Sequence, residues 1–587
     1  MSARNCIPLV LPVALLCLGV ACSLQESSAA DTGEVRLNQL GFLPGGQKLA
    51  VLETGRPRSF EVVREADGEV VLRGQTGHAK SWEPARRKAA IADLSALSEP
   101  GSYRIRANGL PPSDPFPIDA QAYAALADAS LKAFYLSRSG MGLDAAHAGP
   151  YARPAGHPDT EVEIHPSAAT PGRPAGTVVS APGGWYDAGD YNKYVVNSGI
   201  TTWTLLAAYE HFPEFFGGRE LGIPESGNGV PDILDEAWWN LRWMLAMQDP
   251  ADGGVYHKLT NLAFDPVVMP DQARERRYMV GRSTAAALDF AAVMATASRI
   301  YAPYEAQFPG LPARMREAAE AAWRWAQANP DLVYRQPDDV STGAYGDGKL
   351  DDEFAWAAAE LYVTTGEASY LDAFRKHAGD LGIPDWNDVG SLGWISLAQH
   401  RARLPEAERR KVVRRVQEAA DRLVARSQQS PWRISMEAWD FVWGSSAVAL
   451  NQALVMLQGY RIDGRREYLD AAQSQLDYVL GRNPLGISFV TGHGLRTPMH
   501  IHHRPSQADG VEAPVPGLLS GGPNPRQQDL VDCKGVSYPS SLPALSWIDH
   551  DCSYASNEIA INWNAPLVYV SAAIQALAPP VQDAGRK

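Results

Sequence analysis

The chain of 587 residues carries 67 Asp and Glu against 53 Lys and Arg, a net charge of −14, and no basic stretch is dense enough to follow a phosphate backbone. This argues against nucleic acid as a partner, and a length beyond what one hydrophobic core organises implies a small domain joined to a large one. Sixteen Trp and 22 Tyr supply flat amphipathic rings that can line a sugar-binding groove as well as fill a core.

In chain order, residues 1–30 read as an export signal. Arg4 precedes an apolar run from Ile7 to Ala21 that is too short to span a bilayer and gives way to small and polar residues. Two readings of its end stay open: cleavage after Ala30 in SSAAD, or lipidation of Cys22 in LGVACS, which resembles a bacterial lipoprotein box with Gly19 where Leu is usual. Either way the expected location lies beyond the cytoplasm of a bacterial cell: periplasmic, anchored at the outer membrane through Cys22, or extracellular. Cys6 and Cys17 leave with the signal and Cys22 leaves or is lipidated, so Cys533 and Cys552 remain in the folded body. An oxidising compartment favours a disulfide between them over two separate buried thiols.

Residues 34–118 hold short runs of strand character, among them EVRLNQLGF, SFEVVRE and GSYRIRA, separated by Gly, Pro and Asp turns. This predicts a small β-sandwich. From Gln121 the texture changes to apolar stripes at helical spacing, such as Leu234, Trp238, Leu241 and Leu245 after Pro231, which is expected in the first turn. Such stripes predict twelve helices, near 121–136, 199–212, 232–248, 282–301, 313–328, 351–365, 368–378, 391–400, 407–426, 441–459, 466–480 and 565–577. Twelve suggests paired helices, either a closed barrel of six hairpins over 119–580 or an open solenoid, and the lack of a visible repeat favours the barrel. Two segments lack helical pattern, 149–184 and 482–554, and stretches of that length are commonly functional loops.

Three clusters in loops carry chemistry. GGWYDAGDYNKY (183–194) sets Asp187 and Asp190 three positions apart; SFVTGHGLRTPMHIHHRPS (488–506) holds His500, His502, His503 and Arg504; WIDHDCSYASNEIAINWNAP (547–566) carries Asp549, Asp551 and Glu558. In the last, Asn564, Ala565 and Pro566 look like the cap and first turn of the final helix, with Glu558 in its approach. Glycosidic cleavage needs one protonated carboxylic acid at the leaving oxygen and one carboxylate on the other face of the sugar, about 6.5–9.5 Å apart for inversion through water and about 5–5.5 Å for a covalent intermediate. Asp190 and Glu558 suit these roles, with Asp187 sharing the grip on the water. Each cluster alone has a plainer reading: turn chemistry or a cation site for the Asp pair, metal ligation by His500 and His502 or simple exposure, and a cap or solvated charge for Glu558.

Together with the N-terminal VRLNQLGF, the three motifs in this order resemble glycoside hydrolase family 9, inverting cellulases with an immunoglobulin-like domain before an (α/α)6 barrel. The resemblance spans about 34–577. It implies Asp190 as catalytic base with Asp187 holding the water, Glu558 as general acid, and His502 and Arg504 on sugar hydroxyls. Trp547, Asp549 and Asn557 fall in the motif of the acid, and the flanking Trp185, Tyr186, Asp549 and Trp563 are expected to line the substrate, Trp563 replacing a usual Tyr. The implied substrate is a β-1,4-linked glycan, cellulose or soluble β-glucan cut in endo fashion, with an exo-acting β-glucosidase or exo-β-glucosaminidase as the alternative. A third possibility is a sugar-binding protein that keeps the fold without the reaction. No cofactor is required for catalysis. The resemblance also points to a structural calcium at Asp352, Glu353 and Asp388, although Lys349 stands where its ammonium would compete with the ion. The segment ahead of the Asp pair, LSRSGMGLDAAHAGPYARPAGH, contains no Cys, and so no zinc of the kind some members hold there is expected.

Overall fold

The computed structural model describes residues 33–578; the export-signal reading, Cys22 included, and the last two residues of the expected barrel span lie outside the described residues. Eight strands come first: β1 (Val35–Arg36), β2 (Leu49–Glu53), β3 (Ser59–Arg64), β4 (Val70–Gln75), β5 (Lys80–Trp82), β6 (Arg87–Asp93), β7 (Gly101–Ala107) and β8 (Phe116–Ile118). They form two antiparallel sheets of order β1-β2-β6-β5 and β4-β3-β7-β8. Alternation sets which face is covered: along β7, Tyr103, Ile105 and Ala107 are buried while Arg104 and Arg106 point away, and Ile105 lies opposite Val62 of β3.

Twelve long helices follow: α1 (Ala124–Leu136), α2 (Val195–His211), α3 (Asp232–Ala246), α4 (Thr284–Tyr301), α5 (Leu311–Ala328), α6 (Asp351–Thr365), α7 (Ala368–His377), α8 (Gly390–Gln399), α9 (Glu406–Gln429), α10 (Ser445–Asp463), α11 (Arg466–Val479) and α12 (Ile561–Ala576). The even-numbered helices pack in a ring, α2 on α4, α4 on α6, and so on to α12, which packs back onto α2; each odd-numbered helix backs its even partner from outside. The ring closes, so the molecule is an (α/α)6 barrel and not a solenoid. Inner helices are buried nearly all round, α4 from Thr284 to Ser298 without a break, whereas outer α9 buries a single stripe through Val412, Val416, Ala419, Ala420 and Leu423. Among the described residues no helix is long and apolar enough to cross a membrane.

Three local expectations are corrected. The last helix starts at Ile561, not at an Asn564 cap. The Asn564 amide is used elsewhere, accepting from the Leu519 N–H and donating to the Ser130 carbonyl, and Pro566 lies inside the helix. Pro231 sits at the N-cap of α3, one residue before its first turn. Most consequential for the site, loops on the barrel build a five-stranded sheet that the helical reading missed: β9 (Val162–Ile164), β10 (Val178–Val179), β11 (Lys193–Tyr194), β12 (Tyr256–Thr260) and β13 (Tyr278–Arg282), in the order β10-β9-β13-β12-β11.

The sandwich is fastened to the barrel by the VRLNQLGF segment. Asn38 donates to the Asp477 carboxylate (2.8 Å) at the end of α11, and the Tyr123 hydroxyl before α1 donates to the Gly41 carbonyl (2.9 Å). Gln39 reaches further: its backbone N–H meets the Leu480 carbonyl, its amide donates to the Gly486 carbonyl, and its side-chain oxygen accepts from the N–H groups of Leu495 and Arg496.

Candidate active site

Residues 183–194 enter through two left-handed glycines, Gly183 and Gly184, and leave as edge strand β11 leading into α2. Between them the chain is pinned to both other motifs. The Asp187 carbonyl accepts from the Ile561 N–H at the start of α12 (2.9 Å). Gly189 donates its N–H to Glu558 Oε1 (3.3 Å), and its carbonyl accepts from the Arg504 backbone N–H (3.2 Å) and Nη1 (2.6 Å). No side chain fits here, because a Cβ on Gly189 would run into the His502 carbonyl oxygen and stand 3.2 Å from Glu558 Oε1. His502 and Glu558 are themselves bridged side by side, with the His502 N–H on the Asn557 carbonyl (2.9 Å). Segments 300 and more residues apart thus converge on one glycine.

The carboxyls differ in setting. Asp187 is buried, its Oδ1 accepting from the Asn197 amide (2.7 Å) and Oδ2 from the Tyr345 hydroxyl (2.7 Å). Burial, reinforced by the Asp190 charge, pushes its pKa up to about 8 despite these donors. Asp190 accepts from Asn192 (2.7 Å) and Tyr194 (3.0 Å), both on Oδ2. Glu558 is raised well above the ordinary carboxylate range, first by burial and then by the charges of Asp190 and Asp187.

The remaining expected site residues separate into two groups. His502 and Arg504 face the carboxyls. His502 Nδ1 donates to the Asp551 carbonyl (2.7 Å), which fixes the tautomer and leaves Nε2 as an acceptor; burial lowers the pKa of the ring and keeps it neutral. Arg504 is held by the Asp265 carbonyl (2.8 Å) as well as by Gly189, with its guanidinium against the half-exposed Phe264 ring. The other group is structural. Trp185 is fully buried, donates its indole N–H to Glu236 (2.6 Å) and packs on Phe134, so it offers no face to a sugar. Tyr186 is buried too, its hydroxyl paired with His157. Asp549 spends its oxygens on the N–H groups of Met499 and His500 and the Asn557 amide, locking the histidine segment in place. Trp563 is half-buried with its indole against Gly444 and Gly521.

Aromatic surface lies instead on residues that the sequence did not single out. Trp443, 42% exposed, packs on Tyr554, which packs in turn on His502. The Cys533–Cys552 disulfide forms, closing a loop that carries the Asp551 carbonyl near its end and leads on to Tyr554. Tyr345 is also new: it reaches Asp187 from the segment before α6, in a left-handed backbone conformation (φ 44°) rare outside glycine. No motif marks it.

At the expected calcium ligands, burial, with the nearby Asp388 charge, raises the pKa of Asp352. Among the described residues no group of three or more His, Cys, Asp or Glu side chains is arranged to hold a metal ion. Asp352 Oδ2 accepts the Val389 N–H (2.8 Å), and Glu353 is buried toward Asp289 of α4, the oxygens of both lacking any hydrogen-bond partner. Likewise His500 enters no group of metal-ligating side chains among the described residues.

An immunoglobulin-like sandwich clamped to a closed helical barrel, with carboxyls from two distant loops meeting over one glycine beside an aromatic rim, is the frame of a glycan-cleaving hydrolase. The chain matches the Glycosyl hydrolase family 9 model over residues 123–571 and the Cellulase N-terminal ig-like domain over residues 30–111. It belongs to glycosyl hydrolase family 9, an inverting family. It is 43% identical over 575 residues to a xyloglucan-specific endo-beta-1,4-glucanase of Bacteroides ovatus, covering 96% of this chain and 97% of that protein. A solved Bacteroides ovatus family 9 structure superposes with a TM-score of 0.86 at 42% identity, over 93% of this chain and 99% of that one. A single mutant of a thermostable endoglucanase from Alicyclobacillus acidocaldarius gives 0.83 at 33% identity, over 92% and 99%.

Proposed function

We propose that the protein is an exported endo-β-1,4-glucanase that inverts the anomeric centre, with Asp190 as base, Glu558 as acid and Asp187 as the second grip on the water. The observation that carries this is the meeting at Gly189, which sets Glu558, kept protonated by burial, beside the loop of the two aspartates. As water attacks the anomeric carbon, Asp190 takes its proton while Glu558 gives its own to the departing glycosidic oxygen. The products are an inverted hemiacetal and a free C4 hydroxyl; Asp190 is left protonated and Glu558 ionised, and exchange with solvent resets both. His502 Nε2 and the free face of Arg504 are placed to hold sugar hydroxyls, and Trp443 with Tyr554 offers a stacking face for a further residue. The reaction as written uses three carboxyls and water. Export is supported by the leader-like N-terminus and by a disulfide that persists only in an oxidising compartment.

Time-resolved product profiling tests the reading, with cellohexaose, xyloglucan and chitosan hexamer offered in parallel. Mixed cello-oligomers at early times, with α-anomeric new ends by NMR, are expected. Glucose or cellobiose alone from the first minute assigns an exo enzyme, glucosamine release an amino-sugar substrate, and binding without any hydrolysis removes the enzymatic reading.

A further inference from the structure

We infer that Asn192 and Tyr194 are positioning residues that clamp one oxygen of Asp190 and thereby present the other to the attacking water; this rests on Asp190 being the base. Both donors converge on Oδ2, at 2.7 and 3.0 Å, while no described residue donates to Oδ1. The direction of each bond is fixed from behind. The Asn192 side-chain oxygen accepts from the Asn261 N–H (3.1 Å) and from Arg277 Nη1 (3.4 Å), groups that can only donate. The amide therefore cannot flip, and its NH₂ must face Asp190. The Tyr194 hydroxyl accepts the Gly343 N–H (3.1 Å), which sends its own proton to Asp190.

A third layer supports the second. Lys258 lies opposite Tyr194 in the β11–β12 ladder and donates to the Gly343 carbonyl (2.7 Å) and the Thr342 hydroxyl (3.1 Å), holding the two residues that flank the N–H orienting the phenol. Asn192, Tyr194 and Lys258 are all essentially without solvent exposure, so none of these bonds is loosened by water. Two fixed donors on one oxygen stop the carboxylate from rotating, and the lone pairs of Oδ1 are left for the substrate water. The missed sheet has its purpose here: β12 is the wall against which the base is braced.

The test uses Tyr194→Phe, which keeps the ring and removes the hydroxyl, and Asn192→Asp, which keeps the shape but sets a negative oxygen against Oδ2. On a soluble β-glucan each is expected to lower kcat by about tenfold or more with KM within about twofold. A packing role alone would lower the melting temperature and leave kcat of the folded protein in place. If Tyr194→Phe does not fold, Asn192→Asp decides. Folded variants with wild-type kcat and KM overturn the clamp. Asp190→Asn, assayed with and without azide, separates this failure from failure of the base itself: inactivity rescued by azide upholds the base, whereas undiminished activity would remove the base and the clamp together.

Discussion

A carboxyl can serve as an acid at neutral pH only if its surroundings hold the proton, and at Glu558 burial does so first and the Asp190 charge second. Glu558→Gln is expected to lower kcat on β-glucan by about 10³-fold while an aryl cellobioside with an acidic phenol as leaving group, needing no proton, is cut far less affected. Equal losses on both substrates would refute the acid role. Asp187 gives a stability signature. Its folded pKa of about 8 exceeds the ordinary 3.8, so its contribution is full below about pH 3.8 and is lost as pH rises through 8. Wild-type stability should therefore fall over that window relative to Asp187→Asn, as read by thermal melts at fixed ionic strength; parallel curves would show that Asp187 carries no such proton. The acidic residues were legible because two short motifs name them. Asn192 and Tyr194 stood in the same quoted stretch, and the alternation Asp190, Asn192, Tyr194 of an extended chain already places them on one side. Tyr345 was not legible, since its contact with Asp187 is made by a loop 158 residues away that carries no pattern. The reverse error at Trp185 arose because an aromatic beside a catalytic motif reads the same whether it faces sugar or core.

At the scale of elements, the helices were legible because outer ones such as α9 repeat a single apolar stripe and inner ones such as α4 are mostly apolar over 18 residues, patterns a strand cannot share at that length. The five-stranded sheet escaped because its strands run two to five residues, too short for alternation to register. The start of α12 was misplaced because Asn-Ala-Pro imitates a helix start, while the real one is set by the Asp187 carbonyl capturing the Ile561 N–H. The disulfide loop shows how one element tunes another. Cys552 follows Asp551, whose carbonyl orients His502, and Tyr554 two residues on packs against that ring. Cys533→Ser with Cys552→Ser releases a loop of 19 residues, with an expected loss of about 3 kcal/mol of stability. Because His502 loses its anchor, KM should also rise severalfold with kcat less affected. Unchanged KM in the folded double variant would show that the Asp551 carbonyl is held by other means.

At the scale of the molecule, the sandwich does more than precede the barrel. Its own core is closed between two sheets, yet the segment joining its first two strands sends Asn38 and Gln39 into the barrel, and Gln39 alone serves three backbone groups there. Those groups belong to the 486–496 stretch, which runs directly into the Met499–Arg504 segment that Asp549 locks and that presents His502 and Arg504. Position of the sugar-facing residues is thus referred back to the neighbouring domain. Gln39→Ala strands the Leu495 and Arg496 N–H groups and leaves the Gly486 carbonyl with Arg496 Nε as donor, and is expected to cost about 1–3 kcal/mol in denaturant unfolding, with a rise in KM as the stretch loosens. Protein lacking 33–118 should melt well below the full chain, since Asn38, Gln39 and the Gly41 partner of Tyr123 leave together. An unchanged melting temperature and KM for the barrel alone would mean that α11 and the 486–496 stretch are self-supporting and that the clamp joins two independent bodies.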